Sequence, residues 1–161
     1  MGRIVVGVDE SDAAHEALDL GFREARRRGA HLVALHAWRL PTAYEGVGYP
    51  TMVGDWMTPA AEGMDKTLAP FRETYPDVTV EVDLQHEFAG PALLKATEHA
   101  DLIIVGRRGH GAPWGIYLGS LARMLIREGK CPVEVSPQHR RDVPQVEERL
   151  LGTAEELSPE M

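Results

Sequence analysis

A single cysteine, Cys131, stands among 161 residues, so no intramolecular disulfide can form. No apolar run approaches the ~20 residues of a membrane span. The first ten residues show no apolar segment followed by a small-residue cleavage site. The expectation from these two absences is a cytoplasmic protein that meets no membrane. The seven histidines show no His-x-x-x-His spacing and there is no Cys-x-x-Cys, which leaves no signal for a dedicated transition-metal site. A Gly-x4-Gly-Lys-(Ser/Thr) loop is missing. So are Ser-Gly-Gly-x-Asp-Ser and Gly-x-Gly-x-x-Gly after the first apolar run. Their absence argues against phosphate-loop hydrolases, nucleotidyl transferases and dinucleotide enzymes. Positive charge is also scarce, with 17 basic residues against 25 acidic and a net charge of −8. That balance argues against non-specific binding to nucleic acid, yet leaves room for a locally positive pocket.

What is present is an alternation of two periods. Arg3 to Val8 is a near-continuous β-branched run, suited to a strand covered on both faces. Ser11 is a plausible N-cap for a helix with Ala14, Ala17, Leu18, Phe22 and Ala25 on one face. Arg26 to Arg28 fall in its last turn and Gly29 ends it. His31 to Ala37 reads as a second strand. Residues 39–58 read as an irregular segment rich in Pro and Gly, carrying Tyr44, Tyr49 and Trp56: a lid, a partner surface or a mobile loop. Pro59 to Tyr75 is the second predicted helix, with Ala61, Met64, Leu68 and Phe71 as its stripe. Val78 to Val82 alternates like a less buried third strand. A third helix starts at Gly90-Pro91, with Pro91 at its first position. Asp101 to Val105 is a buried fourth strand, Leu118 to Ile126 marks a fourth helix stopped by Gly129, and Cys131 to Val135 is a fifth strand. Strands alternating with helices predict an α/β fold, a single domain with a five-stranded parallel, doubly wound sheet over residues 1–137. Residues 138–161 read as a polar tail.

Ligands on such a sheet bind outside the carboxyl ends of the strands. Strand one ends at Asp9. Strand four ends at Gly106, followed by Arg107-Arg108-Gly109-His110-Gly111 and, at the start of the next helix, Gly119-Ser120. The chemistry suggested is an anion cradle. Glycines permit positive φ and close backbone approach, successive amides form a concave nest, and a helix N-terminus adds unpaired N–H groups. Residues 101–130 hold five basic side chains against two acidic ones in a chain that is acidic overall. The bland alternative is that these glycines only shape a turn and Ser120 only caps a helix. Asp9 reads either as a functional carboxylate or as a helix N-terminal charge. His36 reads as a satisfied core histidine, Cys131 as a buried small hydrophobe, His110 as a solvated loop residue ahead of a ligand contact, Trp114 as a packing or dimer-contact residue ahead of base stacking, and Arg26 to Arg28 as a solvated helix end. A phospho-receiver reading, with Asp9, Glu10 and Asp83 as an acidic pocket, lacks a lysine after strand five, where Ser136-Pro137-Gln138 stands.

With these residues in view, the sequence resembles the universal stress protein family. Gly106, Gly109, Gly119 and Ser120 match the Gly-x2-Gly-x9-Gly-(Ser/Thr) pattern of its ATP-binding members. The flanks Asp101 to Gly106 and Cys131 to Val133 are similar too, as are Val5 to Ser11 and Leu35 to Ala37. The resemblance implies an adenine nucleotide alpha hydrolase-like, Rossmann-like sandwich that binds ATP, with a divalent ion, Mg2+ or Mn2+, bridging the phosphates. It places the phosphates and ribose at Gly106, Gly109, Gly119 and Ser120, the ribose or adenine side at Asp9, and the adenine at the Ala37 backbone. Gly7, Val8, Val105, Arg108 and Leu121 complete the expected nucleotide-binding set, with Arg107 and Arg108 in variable positions. It also implies a homodimer through the strand-five region, Cys131 to Ser136, although Glu134 interrupts the apolar run seen there in many relatives. Ser120 is alternatively a phosphorylation site. The function expected is an ATP-binding stress-response module, cytoplasmic, with slow or no hydrolysis. Its alternatives are a nucleotide-free module acting through a protein partner and a weak ATP hydrolase.

Overall fold

The computed structural model describes residues 2–9, 11–39, 49–107 and 118–137, with side chains for all of these except 12 and 49–52. The elements run β1 (Arg3–Gly7), α1 (Asp12–Arg28), β2 (His31–Trp38), α2 (Tyr49–Thr74), β3 (Val80–His86), α3 (Ala89–Ala96), β4 (Leu102–Gly106), α4 (Ser120–Glu128) and β5 (Val133–Ser136). They form one five-stranded sheet in the order β3-β2-β1-β4-β5. Every pairing is parallel, so the predicted doubly wound sheet is observed.

The sheet is covered on both faces, which explains the unbroken hydrophobicity of its central strands. Side chains alternate across the pleat. Ile4 and Val6 therefore join Leu32, Ala34 and Ile104 in one layer, closed by Ala14, Leu18 and Phe22 of α1 and by Met64 and Leu68 of α2. Val5, Val33, Leu35, Ile103 and Val105 form the opposite layer, closed by Ala92 and Leu93 of α3 and by Ala122 and Leu125 of α4. Phe22 stacks on Phe71 with ring centroids 5.4 Å apart and on Tyr75 at 5.5 Å, joining α1 to α2. Gly29 ends α1 in the left-handed conformation, φ 60°, which a glycine adopts without strain.

Several expected boundaries move. The segment read as irregular over 39–58 is helical from Tyr49 onward, because α2 runs 26 residues through Pro59 rather than starting there. Pro50 falls in its first turn, where no N–H donor is needed. Residues 54–59 face water, which solvates the carbonyl freed by Pro59. Residues 40–48 of that segment lie outside the described residues. β3 starts two residues later than expected and extends to His86, held by pairing with β2 up to Trp38. Its half-buried pattern fits an edge position. Pro91 is the third residue of α3 instead of the first. α4 begins at Ser120, so Leu118 precedes it, and Ile126 is 55% exposed rather than part of the core stripe. β5 starts two residues later than expected and ends one later, at Val133–Ser136.

Candidate functional site

The strand order places β2 and β4 on opposite sides of β1, with β3 beyond β2. The chain therefore reverses its direction of winding between β1 and β4. A crevice opens there at the carboxyl edge, because the helices that follow the two strands pack on opposite faces. Of the expected nucleotide-binding residues, Gly7, Val8 and Asp9 stand at the end of β1, and Val105 and Gly106 at the end of β4. Ala37 stands near the end of β2. Gly119, Ser120 and Leu121 open α4. All of these share one edge of the sheet. Arg108, Gly109, His110 and Trp114 lie outside the described residues.

The two ends of the glycine-rich segment meet. The Gly119 N–H donates to the Arg107 carbonyl at 2.9 Å, so the start of α4 is tied to the strand end beside the crevice. Gly119 is the N-cap residue, in extended conformation at φ −65° and ψ 158°, and it offers no side chain to cap the helix. The first helical hydrogen bond runs from the Arg123 N–H to the Gly119 carbonyl at 3.1 Å. The N–H groups ahead of Arg123 have no acceptor within the helix, by its geometry. Ser120, the first residue of α4, is exposed. This is the geometry that accepts an anion.

Gly106 and Gly119, the described glycines of the motif, act differently from the expectation of positive φ. Among the described glycines, only Gly29 lies in that region. Gly106 is required by packing: a Cβ there would stand 2.8 Å from the Ala13 Cβ and 3.1 Å from the Ala13 carbonyl oxygen. Its absence lets the first turn of α1 close on β4. Gly7 serves the other layer, where a Cβ would meet Leu93 and Val105 at 3.0–3.2 Å.

Asp9 accepts hydrogen bonds from the Ser11 N–H at 2.9 Å and from the Ser11 hydroxyl. It thus organises the turn into α1. Ser11 is the N-cap residue as expected, but its hydroxyl turns to Asp9 and caps nothing. His36 is half-buried and its Nδ1–H donates to the Val8 carbonyl at 2.8 Å, a satisfied histidine that ties β2 to the end of β1. Cys131 is half-buried, and burial pushes its thiol pKa up, away from nucleophile chemistry. Asp83 accepts from the Gln85 amide at 2.8 Å. No group of three or more His, Cys, Asp or Glu suited to a metal ion occurs among the described residues. No helix among them is long and apolar enough to cross a membrane.

The same edge holds two residues that the sequence reading passed over. The Arg39 guanidinium lies 4.3 Å from the ring centroid of Phe88, and Phe88 is 60% exposed. Arg39 fell in a stretch read as irregular. The available signal was an aromatic residue directly ahead of a helix start at a strand's carboxyl end.

Known proteins share this architecture. The universal stress protein UspA from Lactobacillus plantarum superposes with a TM-score of 0.71 at 23% identity, covering 84% of this chain and 97% of that one. The universal stress protein from Archaeoglobus fulgidus, solved in complex with dAMP, superposes with a TM-score of 0.61 at 22% identity, covering 85% and 98%. In sequence, universal stress protein Rv1996 of Mycobacterium tuberculosis is 34% identical over 136 residues, which is 83% of this chain and 43% of the relative. The chain thus spans less than half the length of such curated relatives. The model of the universal stress protein family matches residues 1–137, from before β1 to just past β5. Sequence match and sheet order agree over the same stretch, and the chain belongs to the universal stress protein family.

Proposed function

We propose that this chain is an adenine-nucleotide-binding module of the stress response, holding ATP with little or no turnover. The observation that carries the reading is the first turn of α4, which lacks a side-chain cap and is tied through Gly119 to the end of β4. Its N–H groups and the positive end of the helix dipole suit a phosphate chain, and the exposed Ser120 hydroxyl adds a donor. The relative solved with dAMP supports the adenine part of the reading. Gly109 and Arg108 complete the grip from the segment between Arg107 and Leu118. Asp9 and the Ala37 backbone receive the ribose and base. A divalent ion, Mg2+ or Mn2+, would come with the nucleotide and offset the phosphate charge, since no group of three or more His, Cys, Asp or Glu among the described residues would hold it alone.

Asp9 takes a structural part in this reading, since its Oδ1 accepts from both the Ser11 N–H and the Ser11 hydroxyl and so organises the turn into α1, and no general base is assigned. The chain acts as a homodimer through the β5 edge, where, among the described residues, Val133–Ser136 pairs with β4 on one side only. It works in the cytoplasm.

Titration calorimetry with ATP, with and without Mg2+, tests the reading, followed by a hydrolysis assay. Micromolar binding with negligible phosphate release is expected. Ser120→Ala loses about 1 kcal/mol, the worth of one hydrogen bond, and Gly109→Val loses most of the affinity. Turnover approaching a typical enzyme's ~10 per second would reject the module in favour of an ATP hydrolase.

A further inference from the structure

The edge that carries the anion cradle continues past the crevice, and its far end differs in chemistry. Parallel strands stand ~4.8 Å apart, so β2 lies roughly 10 Å from β4 and β3 roughly 14 Å. At that end Ala37 packs in the layer shared with α3 and α4. Two residues on, the Arg39 guanidinium rests over the Phe88 ring at 4.3 Å. Phe88 is the residue that leads into α3. The pair therefore sits on the α3–α4 face, the face from which α4 presents its first turn. Phe88 does not serve the core, since 60% of its surface is exposed. Keeping an aromatic ring of that size in water is unfavourable unless something covers it.

Resting on the nucleotide-binding reading above, we propose that Arg39 and Phe88 form the base-stacking wall of the site. A purine base lies against the guanidinium, whose other side rests on the phenyl ring. Arginine suits this place because its guanidinium is planar and weakly hydrated, and stacks on π-faces, whereas a lysine ammonium does not. The wall makes the site prefer purine over pyrimidine nucleotides, because the larger ring system covers more of the pair. Trp38 and His86, 4.8 Å apart in an edge-on contact, are the final residues of β2 and β3 and hold those strand ends together in register beneath it.

The test compares ATP, CTP and inorganic tripolyphosphate on the wild type, Phe88→Ala, Phe88→Tyr and Arg39→Lys, with melting temperatures recorded on the same samples. Wild type binds ATP about tenfold more tightly than CTP. Phe88→Ala and Arg39→Lys each weaken ATP binding on the order of tenfold, the size of one lost stack, and leave tripolyphosphate binding unchanged. Phe88→Tyr keeps the wild-type affinity. ATP affinity unchanged in both Phe88→Ala and Arg39→Lys overturns the wall while the nucleotide site stands. Equal loss of ATP and tripolyphosphate in Arg39→Lys also overturns it, since Arg39 then contacts phosphate. A wild type that binds tripolyphosphate but not ATP, or neither, removes the nucleotide reading itself, and the wall with it.

Discussion

Gly106 joins the fold to the site. It stands at the end of β4 beside the crevice, and it lacks a side chain because the Ala13 Cβ and carbonyl occupy the space at 2.8 and 3.1 Å. Gly106→Ala must therefore push the first turn of α1 away from β4. We expect a loss of about 1–3 kcal/mol, the usual cost of overpacking, read as a lower urea midpoint with an unchanged slope. Glu24 makes a separate case at the far end of α1. Arg27 Nη2 donates to its Oε2 at 2.7 Å and Arg28 Nε at 2.8 Å. The Arg27 hydrogen bond chiefly holds the carboxyl below its ordinary range, against partial desolvation and with help from Arg28. A lowered carboxylate pKa contributes stability above the unfolded value of about 4.3 and loses it as pH falls through the folded value. Unfolding at pH 6 and at pH 3 should show a smaller acid loss in Glu24→Gln than in the wild type. The sequence placed Gly106 at the end of the fourth strand, and β4 ends there. Its reason for being glycine was hidden, because Ala13 is distant in sequence and only the packing of α1 brings the two together.

α2 divides into two unlike halves. Met64 and Leu68 are buried at 4% and 0% exposure, whereas none of residues 53–60 is buried and Trp56 is 52% exposed. Helices in water draw most of their stability from packing, so the first half is the weaker. Leu68→Ala should cost 2–5 kcal/mol by leaving a cavity between α1 and α2. Trp56→Ala should stay within about 0.5 kcal/mol, as an exposed change does, and amides of 53–60 should exchange faster than those of 64–74. The same division explains what was legible. The apolar stripe of Met64, Leu68 and Phe71 announced the packed half. The unpacked half has no stripe, Pro50 and Gly54 give it the composition of a loop, and Pro59 reads as a helix start. Edge strand β3 was half legible for a related reason. Val80 and Val82 alternate with Glu81, but Asp83, Gln85 and His86 carry no apolar signal, and only the ladder to β2 makes them strand.

The parallel sheet and its switch of direction between β1 and β4 follow from alternation plus right-handed crossovers, so the crevice was derivable once the strand order was known. The motif residues Gly119 and Ser120 mark its mouth because a helix that starts on glycine leaves its first amides uncapped. The Arg39–Phe88 pair was not derivable, since it joins the ends of two different strands through a contact that has no periodicity. Among the described residues, both core layers draw their buried apolar side chains from between Ile4 and Leu125, and the last strand ends at Ser136. A chain ending at Pro137 should therefore fold by itself. Its urea unfolding should be a single cooperative transition with a free energy within about 1 kcal/mol of the full chain, because residues 1–137 hold all five strands of the described sheet and are the stretch that the family model matches. If it also holds ATP, saturation at about 100 times the dissociation constant should raise its stability by ~2.7 kcal/mol through mass action, as in the full chain. A nucleotide-dependent gain present in the full chain and missing in the shorter one would assign residues 138–161 to the site.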